Sequence, residues 1–203
     1  PPSDAETAAD GFLPQVGLLA LDRQYAVLRE EIKAAIERVC DSGRFVLGPD
    51  VTDLEAELAR LLDVPHAISC ASGSDALLLS LLALGIGPGD SVIVPPLTFF
   101  ATAGTVARLG ARPVFADIDP RTCNISPGCV EAALADPLNA GRVKAIIPVH
   151  LGSNMADMDA IMALAEKHNL IVIEDCAHAH GAKWNGRGAG TIGHFGSFSL
   201  QSS

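Results

Sequence analysis

The chain has 203 residues, of which 49% are hydrophobic, 19% charged and 4% aromatic. That apolar content excludes an intrinsically disordered segment, and the length suffices for one sizeable domain or one domain with an arm. The 14 basic residues face 24 acidic ones, a formal net charge of −10 with no Lys/Arg run, which argues against nucleic acid as the main partner.

Five cysteines (Cys40, Cys70, Cys123, Cys129 and Cys176) are an odd number, and none forms a C-x-x-C pair. This reads as a reduced, cytoplasmic protein rather than a disulfide scaffold. The first ten residues, PPSDAETAAD, fit neither a signal peptide nor a transit peptide. The longest leucine-rich stretch, 76–86, is too short to span a bilayer and is broken by Ser80 and Gly85, so no membrane partner is expected.

In chain order, residues 1–16 read as a loose arm. Apolar residues at Leu21, Tyr25, Leu28, Ile32, Ala35, Ile36 and Val39 then follow a 3.6-residue period, which predicts an amphipathic helix ended by Ser42-Gly43. A second helix is expected from Thr52, with Glu55 three residues on as a capping box. From His66 short apolar runs alternate with helical windows. Strands are predicted at 67–70, 91–94, 113–117, 143–149 and 170–174, and helices near 75–84, 99–109, 127–135 and 157–168. A last short apolar segment covers 195–200. This alternation predicts an α/β fold, a mostly parallel sheet flanked by helices. Residues 1–50 are expected to form an arm and an amphipathic helix, and 51–203 the main domain.

Ligands of such sheets gather at the carboxyl ends of the strands. Ser72-Gly73-Ser74-Asp75 joins the first expected strand to a helix. Its small residues and free N–H groups suit a phosphate, although an ordinary turn capped by Ser74 or Asp75 has the same composition. Glu174 and Asp175 end a buried strand. Adjacent strand residues point to opposite faces, so only one of the two carboxylates faces a given pocket, and a buried carboxylate needs a partner. Cys176, His178, His180 and His194 include one H-x-H spacing; zinc is conceivable, but separate polar histidines are the simpler reading. Gly188–Gly193 matches G-x-G-x-x-G, yet no buried strand leads into it and no helix follows, so it reads as a glycine-rich loop or small hairpin. Phe99 and Phe100 follow Pro95-Pro96 at a strand end, where one ring could stack on a planar ligand or pack in the core.

These segments recur in a fixed order: SGRFVLGP (42–49), ASGSDALLL (71–79), GIGPGDSVIVPPLTFFATA (85–103), GARPVFADIDPRTCNI (110–125), KAIIPVHLGSNMADMDAI (144–161), IEDCAHAHGAKWNGRGAGTIG (173–193) and FGSFSLQSS (195–203). Together they resemble the DegT/DnrJ/StrS family of pyridoxal-phosphate enzymes, typified by nucleotide-sugar aminotransferases. The resemblance covers about residues 18–203. It implies the large domain of the fold-type I transferases over 51–203, incomplete at its C-terminal side, and pyridoxal 5'-phosphate as cofactor. It also implies roles. Gly73, Ser74 and Ser199 would hold the cofactor phosphate, Phe99 would stack on the ring, and Asp175 would pair with the ring nitrogen. His178 would lie beside the ring near its phenolic oxygen, and His150 would reach toward the substrate.

The same resemblance places a Schiff-base lysine immediately after Ser203, and Lys33, Lys144, Lys167 and Lys183 do not match it. The chain is therefore expected to be the first part of a longer enzyme, with a genuine truncation, inactive by itself, as the alternative. The implied reaction moves an amino group from an amino acid, glutamate or glutamine, to a keto-sugar, nucleotide-linked, in a homodimer with a shared active site. Rival readings are a sugar dehydratase with His in place of that lysine, a carbocycle aminotransferase, a non-catalytic cofactor-binding regulator and a metal-dependent hydrolase.

Overall fold

The computed structural model describes residues 20–201, so the arm expected at 1–16 lies outside the described residues. Within them the chain divides between Asp53 and Leu54 into two units.

The first unit contains α1 (Leu21–Ser42), which ends where Gly43 takes a left-handed conformation (φ 63°) and returns its N–H to the Cys40 carbonyl. The apolar stripe of Leu21, Tyr25, Leu28, Ile32 and Ile36 is present, but every one of these residues is exposed. Helix α2 (Pro49–Leu62) starts three residues before the expected capping box, because Pro49 is suited to a first helical turn and needs no N–H partner there. Glu55 is not a cap; its carboxylate accepts from the N–H and hydroxyl of Ser69, both at 2.7 Å.

The second unit follows the predicted alternation with one exception. Residues 67–70 form no strand: the segment is unpaired, and Ile68 is 84% exposed. The elements after it are α3 (Gly73–Ala83), β1 (Ser91–Val94), α4 (Ala101–Arg108), β2 (Arg112–Phe115), α5 (Pro127–Ala135), β3 (Val143–Ile146), α6 (Met158–His168), β4 (Ile171–Asp175), β5 (Lys183–Trp184), β6 (Arg187–Gly188) and β7 (Phe195–Ser197). Five strands form one sheet in the order β2-β1-β3-β4-β7, with every pairing parallel. Strands β5 and β6 form a separate antiparallel hairpin. The glycine-rich run thus begins in a hairpin and continues as a loop, in keeping with its lack of a following helix.

The period-two geometry of the strands sorts the core into two layers. Val92, Val94, Ala145, Ile147 and Ile173 pack with Leu77 and Leu81 of α3 and Val106 of α4. Their neighbours Ile93, Ile146 and Val172 pack on the other face with Val130 of α5 and Met158, Ile161 and Ala165 of α6. Each buried valine, leucine, isoleucine or methionine among them stabilises the fold by about 1.5–3 kcal/mol. Glu174 continues the Val172 face and Asp175 continues the Ile173 face, so alternation sends the two carboxylates into different surroundings.

Glycine makes two close approaches possible at the β7 side. A Cβ on Gly196 would lie 2.5 Å from the Gly190 carbonyl oxygen and 2.6 Å from its Cα, and one on Gly190 would meet the Phe198 ring at 2.5 Å. Loop and strand therefore touch backbone to backbone. We expect Gly196→Ala to destabilise the protein by about 2 kcal/mol, because rigid main chain must move aside. Gly128→Ala in α5 meets only Ser126 Oγ at 3.8 Å and should be stabilising by roughly 0.5 kcal/mol. Urea unfolding of both variants checks the contrast.

Candidate active site

The expected site residues come from five separate segments: the start of α3, the turn before α4, the segment after β3, the end of β4 with its following loop, and the segment after β7. Ser72 is the N-cap of α3: its side chain accepts the Asp75 N–H at 3.1 Å and donates to the Asp75 carboxylate at 3.1 Å. Neither Ser74 nor Asp75 is the cap. The arrangement turns Asp75 back onto its own helix start and leaves the N–H groups of Gly73 and Ser74 without an acceptor among the described residues. Gly73 sits against the end of β7. A Cβ there would lie 2.8 Å from the Ser199 Cβ, and Ser197 Oγ donates to the Gly73 carbonyl at 3.3 Å. Gly73, Ser74 and Ser199 thus meet where a helix start offers free donors, a combination that suits an anion.

Asp175 ends β4 and pairs in register with Ser197. It is almost wholly buried. One carboxylate oxygen accepts the Thr102 hydroxyl at 2.9 Å and the other the Ala177 N–H at 3.2 Å. Thr102 spends its proton on Asp175, so the Thr98 hydroxyl, 3.0 Å away, donates in turn to Thr102. Burial pushes the Asp175 carboxyl above the usual carboxylate range, against the opposing pull of the Ala177 N–H, Thr102, and the His150 and His178 rings. No lysine or arginine pairs with it among the described residues. A buried carboxylate held in place but lacking a cation is a receptor for one.

The Thr98–Thr102 relay had no counterpart among the expected site residues. Thr102 lies three residues after Phe99 on a helix that faces Asp175, a placement that only the packing of α4 on the sheet reveals.

Phe99 stands just before α4 and is 74% exposed, and His178 is exposed on the loop after β4. His150 is different. It is completely buried and both ring nitrogens are engaged: Nδ1 accepts the Ala156 N–H at 3.2 Å, and Nε2 lies 3.0 Å from Glu174 Oε2. The ring points away from the Asp175 face, so the substrate role expected of His150 is not supported: it has no free nitrogen and no exposed surface. Alternation explains why, since His150 meets Glu174, not Asp175.

The zinc alternative loses its geometry in the same way. The ligand atoms that come together, within 4.8 Å, are those of His150, Glu174 and Cys176, not those of His178, His180 and His194. The His150 nitrogens and both Glu174 oxygens already have partners. Burial pushes the Cys176 thiol far up, with Glu174 and Asp175 adding to it, so the thiolate that a metal requires is disfavoured.

Comparison with known proteins places this geometry. Residues 26–203 match the DegT/DnrJ/EryC1/StrS aminotransferase family. The chain belongs to that family. It is 50% identical over 185 residues to a pleiotropic regulatory protein of Geobacillus stearothermophilus, covering 91% of this chain and 48% of the relative. It is 51% identical over 188 residues to a UDP-N-acetyl-3-dehydro-alpha-D-glucosamine 3-aminotransferase of Acidithiobacillus ferrooxidans, covering 93% of this chain and 49% of the relative. Among solved structures, DesV of S. venezuelae, in complex with a ketimine intermediate, aligns with a TM-score of 0.83 at 45% identity, over 88% of this chain and 47% of that one. The chain spans about half the length of the relatives it matches. Its parallel sheet flanked by helices is the fold of these aminotransferases. Among the described residues no helix is long and apolar enough to cross a membrane.

The raised Asp175 pKa means that the charged form is disfavoured in the folded, cofactor-free protein. The native state therefore gives up stability at neutral pH and regains it as Asp175 takes up a proton. Asn fits the same site, accepting from Ala177 and donating to Thr102. We expect Asp175→Asn to melt at or above the wild-type temperature at pH 7 without cofactor, the difference closing as the pH falls into the carboxylate range. Thermal melts across that range, on cofactor-free protein, test this.

Proposed function

We propose that this chain is the cofactor-binding part of a pyridoxal-phosphate-dependent aminotransferase. The enzyme would transfer an amino group from glutamate or glutamine to a nucleotide-linked keto-sugar. The observation that carries the reading is the pairing of two opposite receptors at the sheet's carboxyl edge. One is an anion cradle at Gly73, Ser74 and Ser199; the other is a buried carboxylate, Asp175, without a cation.

The residues fit the cofactor. Gly73 and Ser74 would donate N–H groups and a hydroxyl to its phosphate, and Ser199 a further hydroxyl. Asp175 would keep the ring nitrogen protonated, restoring the carboxylate's own charge balance in doing so. The Thr102 hydroxyl, donating to one oxygen of the carboxylate, fixes its orientation. Phe99 would cover the ring face, and His178 would stand beside it. Bound in this way, pyridoxal phosphate supplies an electron sink that stabilises negative charge formed on a substrate carbon after proton loss. The proton transfers themselves are assigned to the lysine expected after Ser203.

Residues 51–203 would be the large, cofactor-binding domain, working in a cytoplasmic homodimer with a shared active site. The five cysteines are free thiols, which agrees with a reducing setting. A second reading, a cofactor-binding regulator without turnover, is favoured by one observation: the Geobacillus relative, at 50% identity, carries a regulatory name.

One experiment separates the two. The intact protein, loaded with pyridoxal phosphate, is mixed with glutamate or glutamine while absorption is followed. The aminotransferase reading expects conversion of the cofactor to its amine form, with one equivalent of keto acid released. Binding without conversion supports the regulator and overturns the enzyme.

A further inference from the structure

Glu174 has no part in the site described so far, yet it is the most heavily hydrogen-bonded side chain in the described residues. It is completely buried on the face of β4 opposite Asp175. Its Oε1 accepts the N–H groups of Ile192 at 2.7 Å and Gly193 at 2.6 Å. Its Oε2 accepts the Gly190 N–H at 3.0 Å and faces His150 Nε2 at 3.0 Å. The Ala156 N–H occupies Nδ1 of His150, which leaves the proton on Nε2 and makes the ring a donor to Glu174. Four donors converge on one carboxylate, three of them from the glycine-rich loop.

That loop is where β7 is held. Gly190 lies against Gly196 backbone to backbone, as a Cβ on Gly196 would come within 2.5 Å of the Gly190 carbonyl. The chain then reaches the first turn of α3 through Ser197, at the end of β7, and Ser199, two residues beyond it, both packed on Gly73. The linkage runs from Glu174 to the loop, from the loop to β7, and from β7 to the helix start.

We propose that Glu174, supported by His150, is a positioning residue for the phosphate end of the cofactor site: it fixes the loop at 190–193 so that β7 delivers Ser197 and Ser199 to Gly73. This rests on the cofactor reading given above. A carboxylate is needed because only acceptor atoms face the loop. An amide in its place turns an NH2 toward N–H groups that also donate, leaving buried donors unpaired.

The test compares two ligands on the intact protein: pyridoxamine 5'-phosphate, and pyridoxamine, which lacks the phosphate. Affinities are measured by fluorescence titration for wild type, Glu174→Gln and His150→Gln, with near-ultraviolet circular dichroism to confirm folding. Glu174→Gln should bind pyridoxamine 5'-phosphate at least tenfold more weakly and pyridoxamine within twofold of wild type. His150→Gln keeps a donor toward Glu174 and an acceptor for Ala156, and should bind both ligands as the wild type does; a phosphate-selective loss as large as that of Glu174→Gln overturns the role given to the donor. Unchanged binding by Glu174→Gln, or equal loss for both ligands, overturns the proposal. If Glu174→Gln does not fold, His150→Leu takes its place: it removes one donor to the carboxylate and should show the same phosphate-selective loss, at about threefold, while a uniform loss or none overturns the proposal. A wild-type protein that binds neither ligand overturns the cofactor reading, and this inference with it.

Discussion

The pair of carboxylates at the end of β4 sets the terms for everything around it. Two consecutive acids are buried on opposite faces of one strand, and among the described residues neither has a lysine or arginine beside it. The protein answers the same physical problem in two ways. On one face Glu174 is surrounded by donors: burial alone would raise its pKa, but the His150 hydrogen bond and the N–H groups of Gly193, Gly190 and Ile192 together outweigh it and the pKa falls. On the other face Asp175 receives only two hydrogen bonds, and burial prevails. One acid is satisfied and structural; its neighbour is left with capacity for a ligand.

This contrast gives the glycine-rich run a purpose that its motif does not suggest. G-x-G-x-x-G is associated with phosphate binding through free N–H groups at a helix start. Here the N–H groups of Gly190, Ile192 and Gly193 do enclose an anion, but the anion is the protein's own side chain. The small residues are required for a second reason, the direct contact of the loop with β7.

Much of this was legible in the sequence, and the reasons differ from element to element. Strands β1, β3 and β4 are largely apolar, interrupted in β3 by the exposed Lys144, because helices cover both faces of the sheet, and they were located to within a few residues. The same period-two rule foretold that Glu174 and Asp175 would part company. The substrate role of His150 came from the family resemblance alone, and no local pattern shows that its ring packs against Glu174. The stretch 67–70 has strand composition but no strand neighbour among the described residues, and a strand exists only by pairing. The helix start at Ser72 was misplaced by two residues because serine and aspartate are equally good caps. Thr102 was invisible for another reason: its link to Asp175 crosses 73 positions of sequence, beyond the reach of any local pattern.

That long reach has a consequence for how the protein acquires its site. The Thr102–Asp175 bond spans 73 residues and the Ser197–Gly73 bond spans 124. Each closes a large loop, and such contacts form only after the chain has lost the corresponding entropy. Helical contacts are local and cost little loop entropy, whereas the contacts that join β4 to α4 and β7 to α3 are non-local and costly to close. A polypeptide interrupted before β7 would keep most of its hydrophobic layers and still lack the Ser197–Gly73 contact at the start of α3.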